Sequence, residues 1–342
     1  MKKKTVLCEM AFWNKFSECS PVSIPSLDEQ TLKTVKTWIE IYSFLKRSDL
    51  LVDCTVADFV PLASKDERLA YLWQLSTEGS LSFNFNNQIF NLQTHVQKDP
   101  SIVLLSKENK KQVCDKFGII NIIASEYIKY HDLFINNGKS VDYDEEWDWK
   151  SIKKLIPERT SNSMVIVDNY IFGDGNQKPE YNLYRILDAI LPDTCSLPSY
   201  CISFFYQKNK REPILAEKIE RIKEELPSYI ERIRPSLKNV IPEFFVSNED
   251  LFDGHSKFFH DRAIITNNIW IDSGAGFSIC RKEYVHFENK YYNTKSTVIP
   301  IAYPYFSSAN NKYIDDKYET LINNAKEFLK RNNKTTMNRL LK

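Results

Sequence analysis

Phe258-Phe259-His260-Asp261-Arg262-Ala263-Ile264-Ile265-Thr266-Asn267-Asn268-Ile269-Trp270-Ile271-Asp272-Ser273-Gly274-Ala275-Gly276-Phe277-Ser278 holds two apolar runs around a polar break. Residues 258–265 read as a strand, Thr266-Asn267 as a tight turn and 268–272 as the returning strand. Side chains of a strand alternate between faces, so His260 and Arg262 are predicted to share one face and Asp261 to take the other.

Working outward, Met164–Val167 has the length and composition of a buried strand and ends at Asp168-Asn169-Tyr170. Leu183, Ile186, Leu187 and Ile190 recur at helical spacing, 200–206 is a second strand, and 243–246 is a third. Between the last two, Leu215, Ile219, Ile222 and Leu226 predict a helix that Pro227 interrupts before it resumes to about Leu237. Residues 284–306 read as further strands, and a terminal helix from about 313 carries Leu321, Ala325, Phe328 and Leu329 on one face. The first half alternates in the same way. Residues 5–12 are expected as a strand and 27–47 as a helix opened by a capping box at Ser26-Leu27-Asp28-Glu29. A second helix is expected over 65–76, strands over 101–106 and 119–123, and a helix over 107–117 stopped by Gly118. Strand and helix in alternation predict an α/β protein of two domains, each a mostly parallel sheet flanked by helices. The boundaries expected are 1–140, an acidic linker over 141–153 and a second domain over 154–342. Asp142, Asp144, Glu145, Glu146 and Asp148 crowd that linker without a His or Asn ligand pattern, so they read as a solvated segment and no metal is assigned to them.

The chain has 342 residues, and its 46 basic and 45 acidic side chains leave a net charge of +1. A globally basic nucleic-acid coat is excluded, although a local basic patch is not. Seven cysteines at scattered positions, with no CxxC pair, argue against a disulfide framework and for a reduced, cytoplasmic protein. The apolar run after Lys2-Lys3-Lys4 is broken at Glu9, Asn14 and Lys15, so no leader is expected, and no window is long and apolar enough to predict a membrane span.

The chemistry expected of 258–278 is that of a phosphate site. An imidazole can attack phosphorus or carry a proton while a guanidinium neutralises the phosphate oxygens. Ser273, Gly274 and Gly276 follow the hairpin, where an uncluttered backbone can approach an anion. Asp168 and Tyr170 stand at the carboxyl end of a predicted parallel strand, the edge at which ligands collect.

His260-Asp261-Arg262, its flanking strands and the order of elements before it resemble the phospholipase D-like superfamily over residues 155–300. That family carries His-x-Lys on a strand, followed by an Asp and a Gly-Ser-type turn. The resemblance implies a metal-independent phosphodiesterase, a nuclease-like hydrolase of nucleic acid with no cofactor. His260, Arg262 and Ser273 would be catalytic, with Asp168, Tyr170, Asn267, Gly274 and Gly276 at the substrate. It also implies a setting in bacterial antiviral defence or a mobile element, and a homodimer, because family members pair two such motifs. Here Arg262 replaces the lysine, Asn267 stands where the acid falls, Asp272 is its candidate substitute, and only one motif is present on a predicted strand. His255-Ser256-Lys257 fits the letters but has no flanking strand pattern. The alternative is a catalytically inactive subunit of a larger complex that binds nucleic acid or protein.

Two further features bear on partners. Glu9, Asp53 and Glu108 are expected near one sheet edge of the first domain, in a pattern that resembles PIN-type nucleases, though that motif begins with Asp. Surface acids on a degenerate core are the favoured reading there. Lys330, Arg331, Lys334, Arg339 and Lys342 end the chain without an acid, which suits either a phosphate backbone or a solvated helix end.

Overall fold

The computed structural model describes residues 4–18, 28–85, 101–106, 117–135, 138–140, 149, 152, 160–172, 182–208, 213–248, 262–274, 276–277, 280–285, 290–295, 300–306 and 311–342. The chain divides into two compact units, 1–137 with 305–311 and 138–304 with 312–342. Both are α/β, with mostly parallel or mixed sheets flanked by helices. No described helix is long and apolar enough to cross a membrane.

In the first unit five strands lie in the order β3-β2-β1-β4-β5: β1 (Lys4–Cys8), β2 (Ser48–Val52), β3 (Phe83–Phe85), β4 (Ile102–Leu105) and β5 (Ile120–Ile123). Every neighbouring pair is parallel. β4 and β5 are buried along their whole length, as strands covered on both faces must be. The strand expected over 5–12 stops at Cys8, and Met10–Glu18 forms helix α1. Phe12, Trp13 and Phe16 are buried there, so the aromatics that look strand-like fill one side of a helix. Helix α2 (Glu29–Leu45) is capped by Asp28, whose Oδ1 accepts from Thr31 N at 2.8 Å, two residues later than the expected capping serine. Helices α3 (Val56–Ala63) and α4 (Glu67–Thr77) complete this part, and a short helix α5 (His131–Ile135) packs with α2.

The second unit is built on a seven-stranded sheet in the order β6-β14-β11-β10-β7-β8-β9. These are β6 (Lys139–Ser140), β7 (Ser163–Val167), β8 (Tyr200–Lys208), β9 (Val240–Asn248), β10 (Ala263–Thr266), β11 (Ile269–Asp272) and β14 (Ile301–Pro304). β7, β8 and β9 run parallel, and β10 joins β7 antiparallel. β12 (Cys280–Val285) and β13 (Lys290–Lys295) pair with each other in a separate two-stranded sheet. Helix α6 (Leu183–Ile190) links β7 to β8, and α7 (Pro213–Ile233) links β8 to β9. α7 runs through Pro227 without the expected break. Ile219, Ile222, Leu226 and Ile230 are buried on both sides of that proline, and this packing outweighs the lost hydrogen bond. The last helix, α8 (Asn311–Arg331), buries Leu321, Ala325, Phe328 and Leu329 as expected, and Phe328 meets the Phe205 ring edge-on at 5.7 Å. The chain beyond α8 is stitched to the sheet by Asn338, whose buried amide donates to Met164 O at 2.8 Å and Ser203 Oγ at 3.0 Å. The expected acidic linker lies mostly outside the described residues; Trp149 and Ile152 within it are buried.

Candidate phosphate site at the end of β7

β10 pairs with β7 so that Ala263 faces Val167, which brings Arg262 beside Asp168 at the carboxyl end of β7. On its other side β10 pairs Ala263 with Asp272, and Ser273 N donates to Arg262 O at 3.1 Å. Ser273, Arg262 and Asp168 therefore form a row across three adjacent strands, on one face because paired residues share a face. This is the carboxyl edge of the parallel run β7-β8-β9, the edge singled out from the sequence.

Arg262 is held from two directions. Its guanidinium lies over the Tyr170 ring, 4.8 Å from the centroid, and Nη1 donates to Gly274 O at 2.8 Å. The ring offers the cation a negative face. Nε is buried with no hydrogen-bond partner among the described residues. The side chain as a whole stays partly exposed. Of the two acids the sequence leaves open as ion-pair partners of Arg262, Asp168 is its neighbour across β7, whereas Glu243 lies on the opposite face of the sheet. Its carboxylate accepts from Ser203 Oγ at 2.8 Å, Met337 N at 2.7 Å and Thr336 Oγ1.

Asp168 is buried and serves as a loop anchor. Its Oδ1 accepts from Tyr170 N at 3.0 Å and its Oδ2 from Phe277 N at 2.7 Å. Two backbone donors offset the cost of burying the carboxylate. They also tie together the chain after β7 and the chain after β11. Gly276 is required at this join: its φ is +87°, and a Cβ there would stand 2.8 Å from Tyr170 Cδ2, 2.9 Å from Asp168 Oδ1 and 3.3 Å from Arg262 Cδ. Gly274 is exposed and leaves open space where its Cβ would be. Trp149 and Phe277 pack behind the loop with ring centroids 6.3 Å apart.

Two of the expected site residues, Ser273 of the catalytic set and Asn267 at the substrate, make other contacts. Ser273 is 1% exposed, and its hydroxyl donates to Gly276 O at 2.5 Å. Its single proton is engaged inside the loop, where the resemblance had placed Ser273 in the catalytic set. Asn267 sits at the far end of β10, about 15 Å from Arg262 at the rise of an extended strand. There its Oδ1 accepts from Asn162 N at 2.9 Å and its amide donates to Asn268 Oδ1 at 3.2 Å, so it closes the hairpin turn. Asp272, the candidate substitute acid, pairs with Ala263 and so takes the opposite face from Arg262. His260 and Asp261 lie outside the described residues, as does His255. Lys330 is exposed in the last turn of α8, and Arg331 pairs with Glu327 at 3.3 Å. The anchor pair Tyr170 N and Phe277 N was the part hidden from sequence reasoning, because backbone donors leave no residue signature.

At the corresponding edge of the first unit both described acids are engaged by backbone donors. Glu9 follows β1, is buried, and accepts with Oε2 from both Ser106 N and Ser106 Oγ at 2.8 Å. Asp53 follows β2 and accepts from Met10 N at 2.5 Å. Glu108 lies outside the described residues, and among those described no three His, Cys, Asp or Glu side chains group closely enough to hold a metal ion. Burial, with Asp53 and Glu9 adding to it, raises the Cys8 thiol well above its ordinary range, and burial pushes Cys54 up to about 12. Both are protonated thiols that fill the core at this edge.

Compared with known proteins, the chain matches no family model and no curated protein.

Proposed function

We propose that the second unit is a phospholipase D-like domain and that the protein is a metal-independent phosphodiesterase acting on nucleic acid. The observation that carries this reading is Arg262. It is a partly exposed guanidinium at the carboxyl edge of a parallel run, clamped by Tyr170 and Gly274 O, with a buried Nε that has no partner among the described residues. A fixed cation with donors to offer suits a phosphodiester oxygen. The arrangement of β7-β8-β9 with an antiparallel hairpin against β7 is further support, since His260 lies two residues before Arg262 on the approach to that hairpin.

In this reading the His260 imidazole nitrogen bonds to phosphorus as the P–O bond to one nucleoside breaks. The departing oxygen takes a proton from an acid, for which a second copy's His260 is the candidate. Water then opens the P–N bond, leaving a phosphomonoester end and restoring the imidazole. Arg262 neutralises the non-bridging oxygens throughout. Asp168, Ser273 and Gly276 hold the loop that holds Arg262.

The test is cleavage of single- and double-stranded DNA and RNA in EDTA. The expected result is cutting that survives EDTA, disappears in His260→Ala with an unchanged circular dichroism spectrum, and falls roughly 10²–10³-fold in Arg262→Ala. Cutting that EDTA abolishes, or that His260→Ala leaves intact, sinks the proposal. Absence of cutting together with salt-sensitive binding that survives His260→Ala would identify the inactive binding subunit instead.

A further inference from the structure

The chain turns back on itself after α8, and this turn is basic. Asn333 takes a φ of +49°, and Asn333 N and Lys334 N donate to Lys330 O at 3.2 Å and Leu329 O at 2.9 Å, which closes the helix. Lys330, Arg331 and Lys334 are all exposed here. Arg331 pairs with Glu327, while Lys330 and Lys334 have no ion pair among the described residues. No acid stands between Glu327 and Lys342. The helix dipole accounts for cations in the last turn of α8 but not for Lys334 beyond it. Cations on α7, which packs on the other face of the sheet, are matched differently: Arg221 pairs with Glu225 at 3.6 Å and Lys223 with Glu220 at 2.5 Å.

Contacts on either side of the turn fix where it lies. Before it, Phe328 meets Phe205 of β8. After it, Thr336 Oγ1 and Met337 N donate to the carboxylate of Glu243, which pairs with Ser203, and the Asn338 amide donates to Ser203 Oγ at 3.0 Å and Cys201 O at 3.5 Å. The tail therefore runs back along β8 towards its start, and the basic turn lies on the carboxyl side of Ser203. Asp168 N donates to Phe205 O at 3.2 Å, so Asp168 and its neighbour Arg262 stand at the same end of the sheet. β10 is two strand spacings from β8, and α8 covers the sheet one layer away, which separates the Arg262 backbone from the turn by about 15 Å.

Resting on the hydrolase reading above, we infer that Lys330 and Lys334 bind flanking phosphates of a nucleic-acid strand whose scissile group sits at Arg262. A strand that rises about 3.4 Å per nucleotide covers this distance in roughly four or five nucleotides, so the turn meets the flanking chain and not the reacting phosphate. Glu243 and Asn338 tie the chain down just past the turn, so the backbone carrying the two lysines is ordered before a ligand arrives.

The probe is fluorescein-labelled oligo(dT) of twelve nucleotides, with binding to the full chain read by anisotropy in EDTA and in a His260→Ala background, so that no turnover enters the measurement. Lys330→Gln with Lys334→Gln should weaken binding roughly tenfold and lower the slope of log K against log salt by about 1.4, the value for two phosphates of a single strand. Lys330→Arg with Lys334→Arg should bind like the parent. Arg221→Gln with Lys223→Gln, the same change of charge on α7, should alter binding less than about twofold. An unlabelled trinucleotide, too short to reach from Arg262 to the turn, should compete about equally well against the parent and the Lys330→Gln, Lys334→Gln variant. No binding by the parent, a lysine effect below about twofold, equal losses from the turn and from α7, or an equal loss for the trinucleotide would each overturn the inference. Lysine-dependent binding without any cleavage by the chain that retains His260 would instead strike the hydrolase reading and leave this surface standing.

Discussion

Glu9 after β1 and Asp168 after β7 are both buried carboxylates at the carboxyl end of a parallel strand, and Asp168 stands beside the guanidinium of Arg262. Glu9 is closed locally, by the backbone and hydroxyl of Ser106 at the end of the neighbouring strand. Asp168 reaches across the sheet edge to Phe277 N, and in doing so arranges the loop whose Gly274 carbonyl holds Arg262. An acid at a strand end therefore says little by itself. What differs is whether its acceptors close one strand junction or organise a second loop around a charged side chain.

The sharpest way to break this contrast is Asp168→Ala. It leaves the buried N–H groups of Tyr170 and Phe277 without acceptors, each a loss of roughly 1–3 kcal/mol, so the second unit should lose about 2–6 kcal/mol in urea unfolding and, under the proposed hydrolase function, its cleavage as well. Asp168→Asn retains an acceptor for one of the two and should fall between. A variant as stable as the parent would show that the loop is anchored some other way.

Gly276→Ala tests the same loop from the backbone side. Its φ of +87° and the close approach of Tyr170 and Asp168 predict a loss of about 1–3 kcal/mol. The companion variant Gly274→Ala meets nothing and should be near neutral. Equal effects at the two glycines would contradict the described loop.

Much of this architecture was legible in the sequence, for stated reasons. Ile102–Leu105, Ile120–Ile123 and Ser163–Val167 are short runs buried throughout, and such runs have few other readings. The end of β7 was legible as the carboxyl edge of a parallel run for the same reason. Met10–Phe12 was misread as the end of a strand because apolar and aromatic residues suit both a strand and a buried helix side. Asp168 and Glu243 were equally open as neighbours of Arg262 from the sequence, since the choice depends on which strand β10 joins. The role of Ser273 was hidden because a serine's exposure is decided by how its loop closes, and here the closure turns its hydroxyl onto Gly276 O.

Glu9→Gln sharpens the contrast from the other unit. The amide keeps a carbonyl oxygen for Ser106 N but gives up the charge-assisted bond, so a loss of about 1 kcal/mol is expected and, under the proposed hydrolase function, cleavage unchanged. A matching loss of cleavage at normal stability would make the first unit's edge part of the chemistry and erase the distinction.

The smallest expected effect is the acid response of the first unit. Burial lowers the pKa of His131 below 6.5, Lys33 and Lys36 add to that, and Asp132 opposes it. Thr37 Oγ1 donates to Lys33 O at 2.7 Å and also lies 2.7 Å from His131 Nδ1, which fixes the neutral ring with its proton on Nδ1. A histidine depressed in the folded state binds its proton more tightly when unfolded. Its contribution is therefore complete above about pH 6.5 and is lost as pH falls through the folded value. The protection factors of α2 amides, taken against the intrinsic exchange rate at each pH, should fall below that pH in the parent and lose part of this response in His131→Gln. Carboxylates titrating lower down would affect both proteins alike, so only the difference between them reports on this ring.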